Sequence, residues 1–217
     1  MQNKIEKTIK ALEKNNMRAI FVPLKKDIVK TVKEMLFEGA KITNGGSVSV
    51  IDSGVAELIK CGEYNYLDRS RPGITPEEQL EVYKNVLDSD FYFCSSNAIT
   101  EEGELVNVDG NSNRISAIAF GPKNVIIIAG VNKLVRNAKE GFLRIKKIAA
   151  PKNCVRLGIN SPCATLGHCI SLERSENPPI TDGCSGDGRI CVSYLVSGRQ
   201  KIKNRITVII CGEELGY

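Results

Sequence analysis

Three polar loops carry residue types suited to holding a small anion, and the first is the run Asn44-Gly45-Gly46-Ser47. This run stands between an apolar segment and a helical pattern. Glycines let the backbone approach a ligand closely, and the free N–H groups at a helix start attract negative charge. A tight turn capped by Ser47 is the alternative interpretation, because serine is a common helix N-cap.

The second loop lies in residues 96–114, which contain four asparagines, three glutamates, one aspartate and one arginine around turn glycines. Asparagine side chains offer both donors and acceptors, and Arg114 has the forked geometry that fits a carboxylate or phosphate. The alternative is that the asparagines bond only the backbone in turns. If a ligand binds here, the predicted contacts are Asn97, Asp109, Gly110, Asn113 and Arg114.

The third loop follows the most apolar segment of the chain and contributes Gly130, Asn132 and Lys133. We predict that Lys133 stands at a helix start and supplies positive charge; an ordinary surface lysine is the alternative.

General acid–base chemistry, if the protein catalyses any, falls to the carboxylates of Glu101, Glu102 and Asp109. The first two residues equally fit an exposed turn before Gly103. Because the chain contains one histidine, no Ser-His-Asp or Cys-His arrangement is supported. The residues leave open whether the protein is an enzyme.

Four of the eight cysteines fall in a Cys-, Gly- and Pro-rich stretch: Cys163, Cys169, Cys184 and Cys191. Thiolates on a flexible loop in a reducing compartment can close around Zn²⁺ or an iron–sulfur cluster. The spacing is not the short C-x₂-C pattern of many zinc sites, so unligated structural or redox thiols are the alternative. His168 is a further candidate ligand. The other cysteines are predicted to be core residues: Cys61, Cys94, Cys154 and Cys211.

Apolar segments alternate with helical patterns, which predicts an α/β fold with a mostly parallel sheet and helices on both faces. Strands are predicted near residues 19–22, 40–43, 91–93, 105–106, 125–129, 192–197 and 205–211, and helices near 2–16, 25–37, 48–58, 75–87, 112–119 and 133–148. Residues 1–217 are interpreted as one domain with a Cys-rich excursion loop over 151–191. Ligands bind such sheets at the carboxyl ends of strands, so the three loops are expected to converge.

Composition excludes several classes of protein. The chain has 217 residues, of which 42% are hydrophobic and 25% charged, as in ordinary globular proteins. No apolar run approaches the roughly 20 residues that cross a bilayer, and the N-terminus lacks the apolar region of a secretory signal. We therefore expect a soluble cytoplasmic protein with no membrane partner.

The net charge of +5 comes from Lys and Arg interleaved with Asp and Glu, so nucleic acid is not an expected partner. The densest basic stretch has a period of two, which predicts a solvated strand face: Arg199, Lys201, Lys203 and Arg205.

Three segments resemble the LUD, or lactate-utilisation, domain family: TNGGSVS (43–49), NAITEEGELVNVDGNSNR (97–114) and AFGPKNVIIIAGVNKLV (119–135). The resemblance covers most of the chain. It implies the fold of the sugar-phosphate isomerase, glucosamine-phosphate deaminase and coenzyme A transferase group. It also implies a part in the oxidation of L-lactate to pyruvate beside iron–sulfur partner proteins. Some family members carry a Cys cluster before their final strands, which here is expanded by SLERSENPPITDG.

The leading hypothesis is a metabolic protein that binds a small carboxylate or phosphorylated metabolite in lactate or related organic-acid oxidation. The second hypothesis is a non-catalytic accessory subunit whose cysteines hold iron–sulfur or zinc. The third is a sugar-phosphate sensor, since the implied fold group includes regulators; DNA binding would then need another chain. The implied fold group also often self-associates, and the sequence leaves open whether this chain forms a homo-oligomer.

Overall fold

The computed structural model describes residues 1–217 and contains ten β-strands, numbered in chain order. The strands are Arg18–Val22 (β1), Lys41–Asn44 (β2), Asn65–Tyr66 (β3), Phe91–Cys94 (β4), Ala98–Thr100 (β5), Leu105–Asp109 (β6), Asn124–Gly130 (β7), Leu134–Val135 (β8), Ser193–Ser197 (β9) and Ile206–Cys211 (β10).

Nine α-helices accompany the strands: Gln2–Lys14 (α1), Ile28–Lys33 (α2), Val48–Asp52 (α3), Val55–Ile59 (α4), Pro76–Asn85 (α5), Asn113–Ala119 (α6), Ala138–Arg144 (α7), Ala150–Arg156 (α8) and Pro162–Leu166 (α9). A π-helical stretch, Ile145–Ala149, joins α7 to α8. Short 3₁₀ turns complete the chain at Lys25–Asp27, Val86–Asp88, Val131–Lys133 and Ile170–Glu173. No helix combines the length and the apolar composition that crossing a bilayer requires.

Six strands form one parallel sheet in the order β1-β10-β7-β4-β2-β3. The central strand β7 is apolar from Val125 to Ala129 because it is covered on both faces. Val125 and Ile127 pack into the core with α1 and α6, whereas Ile126 and Ile128 pack into the opposite core with α2, α3 and α4. The predicted α/β class with a mostly parallel sheet is therefore confirmed.

A second sheet, not predicted, has the order β8-β5-β6-β9. The strands β5 and β6 form an antiparallel hairpin, and β9 adds to β6 in the antiparallel direction. Alternate residues of the hairpin face two cores: Ile99 and Leu105 pack against the parallel sheet, and Ala98 and Val106 pack on the other side with Phe142 of α7. This sheet thus lies between the parallel sheet and α7, where it positions the second polar loop.

Two predicted helices begin or end at other residues. The helix predicted at 25–37 is a 3₁₀ turn followed by α2, which ends at Lys33. The helix predicted at 133–148 begins only at Ala138, because Leu134 and Val135 pair with Ile99 and Thr100 of β5. The helical spacing of residues 133–137 was misleading. Burying Leu134 and Val135 at the edge of the second sheet is more favourable than continuing a helix through them.

Two further predictions are wrong, and a third segment has more regular structure than a loop. The basic stretch 199–205 is not a strand face: its last residue, Arg205, is buried, and its guanidinium group donates to the backbone carbonyls of Ile118, Ala119 and Pro122. The predicted excursion loop contains two helices, α8 and α9. Cys61, predicted to be a core residue, is exposed.

Candidate ligand-binding site

A pocket of about 320 Å³ opens beside the carboxyl ends of the parallel strands. Because neighbouring parallel strands end at the same edge, the loops after β2, β4 and β7 meet there. The end of β6 and the helix α8 form the opposite wall. Polar lining residues include Gly46, Ser47, Arg69, Ser95, Ser96, Asn97, Asp109, Gly110, Asn111, Asn113, Arg114, Lys133, Asn153, Arg156 and Tyr217.

The loop after β2 brings Gly46 and Ser47 to the pocket. The side chain of Ser47 accepts a hydrogen bond from Val50 N at 3.3 Å and so begins α3, as its type predicts. A side chain at position 46 would collide with Arg69, whose Nη2 lies 2.9 Å from where a Cβ would stand. Glycine at 46 therefore lets the guanidinium group of Arg69 reach the loop.

Lys133 lies at the inner end of the pocket with a side chain that is only 4% exposed. Its Nζ donates to Ser49 Oγ at 2.9 Å and to Ser95 Oγ at 3.0 Å. Burial, then the cations of Arg144 and Arg114, lower the pKa of Lys133 to about 7. Lys133 was predicted to begin a helix, but it lies in a buried 3₁₀ turn. The predicted positive charge of its side chain therefore depends on pH.

Arg114 organises the second polar loop from within. Its guanidinium group donates to Asn97 Oδ1 at 3.0 Å, to Asn107 Oδ1, and to the backbone carbonyls of Ser95 at 3.1 Å and Val108 at 2.8 Å. The carboxylate of Asp109 lies 3.7 Å from Arg114 Nε and accepts from the Arg114 backbone N–H. Arg114 is therefore mostly committed to holding the loop together rather than free to fork onto a ligand.

Two arginines that the sequence did not single out stand together at the pocket. Arg69 Nη2 and Arg156 Nη2 lie 2.9 Å and 3.9 Å from the position of a Cβ on Gly46. Arg69 donates to Tyr83 Oη, and Arg156 donates to Asn153 Oδ1 and to Tyr217 Oη. Neither forms a salt bridge with a carboxylate. Arg69 lies between the helices predicted at 48–58 and 75–87, where no element was predicted, so only the fold reveals its place.

Four predicted ligand contacts are not brought to this pocket. Asn44 Oδ1 accepts from Tyr66 Oη, and Gly45 packs against Tyr92. The other two brace the C-terminal segment: Gly130 leaves no room for a Cβ beside Leu215 N, and Asn132 bonds Leu215 N and Gly216 O.

The carboxylates of Glu101 and Glu102 also lie away from the pocket. They occupy the turn of the β5–β6 hairpin, opposite the strand ends that line the site. Glu101 pairs with Lys7 at 3.0 Å, and this hydrogen bond lowers the pKa of its carboxyl group. Of the three predicted acid–base candidates, the structure places only Asp109 at the pocket.

Five cysteines surround a second, smaller and mostly apolar cavity of about 30 Å³ next to the pocket. They are the four predicted ligands and Cys154. The closest pair is Cys154 and Cys163, whose Sγ atoms are 3.6 Å apart. As placed, no three Cys, His, Asp or Glu side chains are arranged to share one metal ion. His168 pairs instead with Glu173.

Burial raises the pKa of Cys191 to about 12 and also raises that of Cys163, so these thiols are protonated at neutral pH.

A family model of the LUD domain matches residues 5–211. The chain belongs to the LUD domain family. That family is associated with lactate utilisation, which supports a metabolic role for this LUD domain. No curated protein matches the chain.

Two solved structures are similar to this LUD domain. A DUF162 family protein from Deinococcus radiodurans matches with 12% identity and a TM-score of 0.53, over 97% of this chain and 96% of that one. At that identity the likeness shows a shared fold. The structure of eIF2B delta from Chaetomium thermophilum matches with 17% identity and a TM-score of 0.36, over 52% of this chain and 49% of that one.

Proposed function

We propose that this LUD domain binds a small carboxylate or phosphorylated metabolite in its pocket and takes part in lactate or related organic-acid oxidation. One observation carries the proposal: two guanidinium groups, those of Arg69 and Arg156, face the same loop of the pocket with no carboxylate paired to either. Arginine remains charged at every physiological pH, so the pair forms a fixed positive end to the site.

Charge balance across the pocket supports an anion. Its lining contains four basic side chains and one carboxylate, that of Asp109. Because Asp109 is paired with Arg114, the guanidinium groups of Arg69 and Arg156 are left without a counter-charge. A bound carboxylate or phosphate would supply that charge and accept bidentate hydrogen bonds from the arginines.

The volume limits the ligand to a small molecule. About 320 Å³ is at the lower end of the range for metabolite and cofactor sites. Serine, asparagine and backbone groups around the arginines offer hydrogen bonds to hydroxyl and carbonyl oxygens. We therefore expect an organic acid or a small phosphate ester rather than a nucleotide.

Calorimetry and thermal shift with lactate, pyruvate, sugar phosphates and coenzyme A esters test this proposal. At least one small anion is expected to release or absorb heat on binding and to raise the melting temperature, because a ligand of the folded state stabilises it. An uncharged analogue of the same size, such as an amide of the same acid, is the control. Absence of binding across the whole series would overturn the proposal.

A second candidate function is that of an accessory subunit whose cysteines hold Zn²⁺ or an iron–sulfur cluster. The convergence of five cysteines on one cavity favours it. The side chains do not fit a metal as placed, so the segment with Cys184 and Cys191 would have to move towards Cys154 and Cys163. A volume of about 30 Å³ suits one ion better than a cluster.

Metal and acid-labile sulfide analysis of protein purified without oxygen tests this second function. Stoichiometric zinc, or iron with sulfide, that is lost on replacing Cys163 and Cys184 by serine is the expected result. Cys61→Ser is the matched control, because Cys61 is exposed and lies outside the cavity. Protein that contains no metal and has eight titratable thiols would exclude this function.

A further inference from the structure

The hydrogen bonds around Lys133 match an uncharged amine. Ser49 Oγ donates its own proton to Leu215 O at 3.1 Å, and Ser95 Oγ donates to Ser96 O at 3.3 Å. Both hydroxyl oxygens therefore act as acceptors for Nζ. A neutral amine has two N–H groups and one lone pair, so the two serines use both N–H groups and leave the lone pair free.

Charged groups around Lys133 also favour the uncharged form. No carboxylate pairs with Nζ, and the charged or titratable groups that act on it are Arg114, Arg144, Asp52 and Cys94. The two arginines disfavour a third positive charge, whereas Asp52 acts in the opposite direction and more weakly. Cys94 is buried, and burial raises the pKa of its thiol, so it stays neutral. With a pKa of about 7, roughly half of Lys133 is uncharged at neutral pH, and that form has a free lone pair beside the pocket.

We propose that Lys133 is a nucleophile that forms an imine with the carbonyl carbon of a small 2-oxo acid. The nitrogen lone pair forms a C–N bond, and a proton passes from nitrogen to the carbonyl oxygen. Loss of that oxygen as water, with the second amine proton, gives the C=N bond. Amine and carbonyl compound thus give imine and water, and no oxidant or reductant takes part.

This inference rests on the proposed function, because the arginines would hold the carboxylate of the same molecule. Arg69 and Arg156 face Gly46, and Ser49, the hydrogen-bond partner of Lys133, follows three residues later. The guanidinium groups of Arg69 and Arg156 and the amine of Lys133 therefore all contact the segment 46–49. That arrangement suits an anion whose electrophilic carbon is next to its charged group, as in a 2-oxo acid.

Reductive trapping with pyruvate tests the inference. The wild-type protein is incubated with pyruvate and cyanoborohydride at pH 7, and the modified lysines are mapped by peptide mass spectrometry. Lys133 is expected to be labelled on the order of tenfold or more above surface lysines, because these are almost fully protonated at pH 7. Lys123, which is 74% exposed, serves as the surface reference.

Lys146 is a matched internal control. It is buried like Lys133, but its Nζ donates to Ser171 Oγ and to the backbone carbonyl of Asp182, and it does not line the pocket. It should remain unlabelled. In Lys133→Gln, whose amide can still bond the two serines, the specific adduct should disappear while the circular dichroism spectrum is unchanged.

The pH profile separates a nucleophile from an adventitious site. The ratio of label at Lys133 to label at Lys123 in one sample should be constant below about pH 6 and fall steadily from pH 7 towards pH 10, where surface lysines lose their protons. Calorimetric binding of pyruvate without a Lys133 adduct would overturn the inference and leave the proposed function standing. If neither pyruvate nor any other anion in the binding series binds, both fail.

Discussion

Replacing Arg114 by leucine is expected to lower the free energy of unfolding by about 3–5 kcal/mol, the usual cost of breaking a buried ion pair from one side. The side chains of Arg114 and Asp109 are 14% and 9% exposed. Without the guanidinium group, the carbonyls of Ser95 and Val108 lose a donor, and the carboxylate of Asp109 loses its cation.

Urea denaturation followed by circular dichroism measures this loss. Arg114→Lys is expected to recover only part of the stability, because an ammonium group cannot reach the four acceptors that the planar guanidinium group serves. Arg136→Leu is the control: Arg136 is 79% exposed and pairs only with Glu140 four residues later, so its loss should be below about 0.5 kcal/mol. If Arg114→Leu lowered the free energy of unfolding no more than Arg136→Leu does, Arg114 would not be the residue that holds the second polar loop together.

Replacing Arg69 and Arg156 together by glutamine is expected to weaken binding of the anion at least a hundredfold. A hydrogen bond to a charged group contributes about 1.5–3 kcal/mol. Losing one from each arginine therefore costs more than the roughly 2.7 kcal/mol that corresponds to a hundredfold change in affinity. Each single replacement should weaken binding about tenfold. The measurement is calorimetric titration with the anion that the binding series identifies.

Stability should change little in the double variant. Arg69 makes one side-chain hydrogen bond, to Tyr83, and Arg156 bonds only Asn153 and Tyr217. A surface replacement, Arg136→Gln, removes one positive charge away from the pocket, as each single replacement does, and should leave the affinity unchanged. Wild-type affinity should also fall as salt is raised, because ions screen the arginines. If the double variant bound the anion as tightly as the wild-type protein does, the arginines would not be the groups that hold it.

Local patterns in the sequence were enough to predict much of the parallel sheet. The continuous apolar run 125–129 predicted β7, since a strand buried on both faces needs no alternation. The spacing of Ile5 and Leu12 predicted α1, and both side chains are buried. Thr75, Pro76 and Glu78 predicted the start of α5, where the full capping box forms. In each case the cause lies within a few residues of the effect.

Strands were predicted near 105–106 and 192–197, but their pairing in a second sheet with β5 and β8 was not, because β5 and β8 are short and polar residues interrupt β5 and β6. Thr100, Asn107 and Asp109 interrupt the apolar pattern of β5 and β6. Asn107 is nonetheless fully buried: Arg114 and the backbone N–H of Asn97 bond its side-chain oxygen, while its Nδ2 has no partner. A polar residue can be buried when the fold supplies hydrogen-bond partners from other elements. The type of its side chain does not show whether it will have them.

The sequence by itself determined the α/β class, the parallel sheet and the family, and it indicated that the loops after β2, β4 and β7 converge. Only the tertiary structure decided what those loops do. In the fold, Arg69 and Arg156 lie at the same loop, and Lys133 is buried against two serines. Arg114, predicted to contact a ligand, instead binds the backbone and side chains of the second polar loop. The reason is physical: charge, burial and hydrogen-bond partners depend on which distant residues meet, and residue type or spacing does not contain that information.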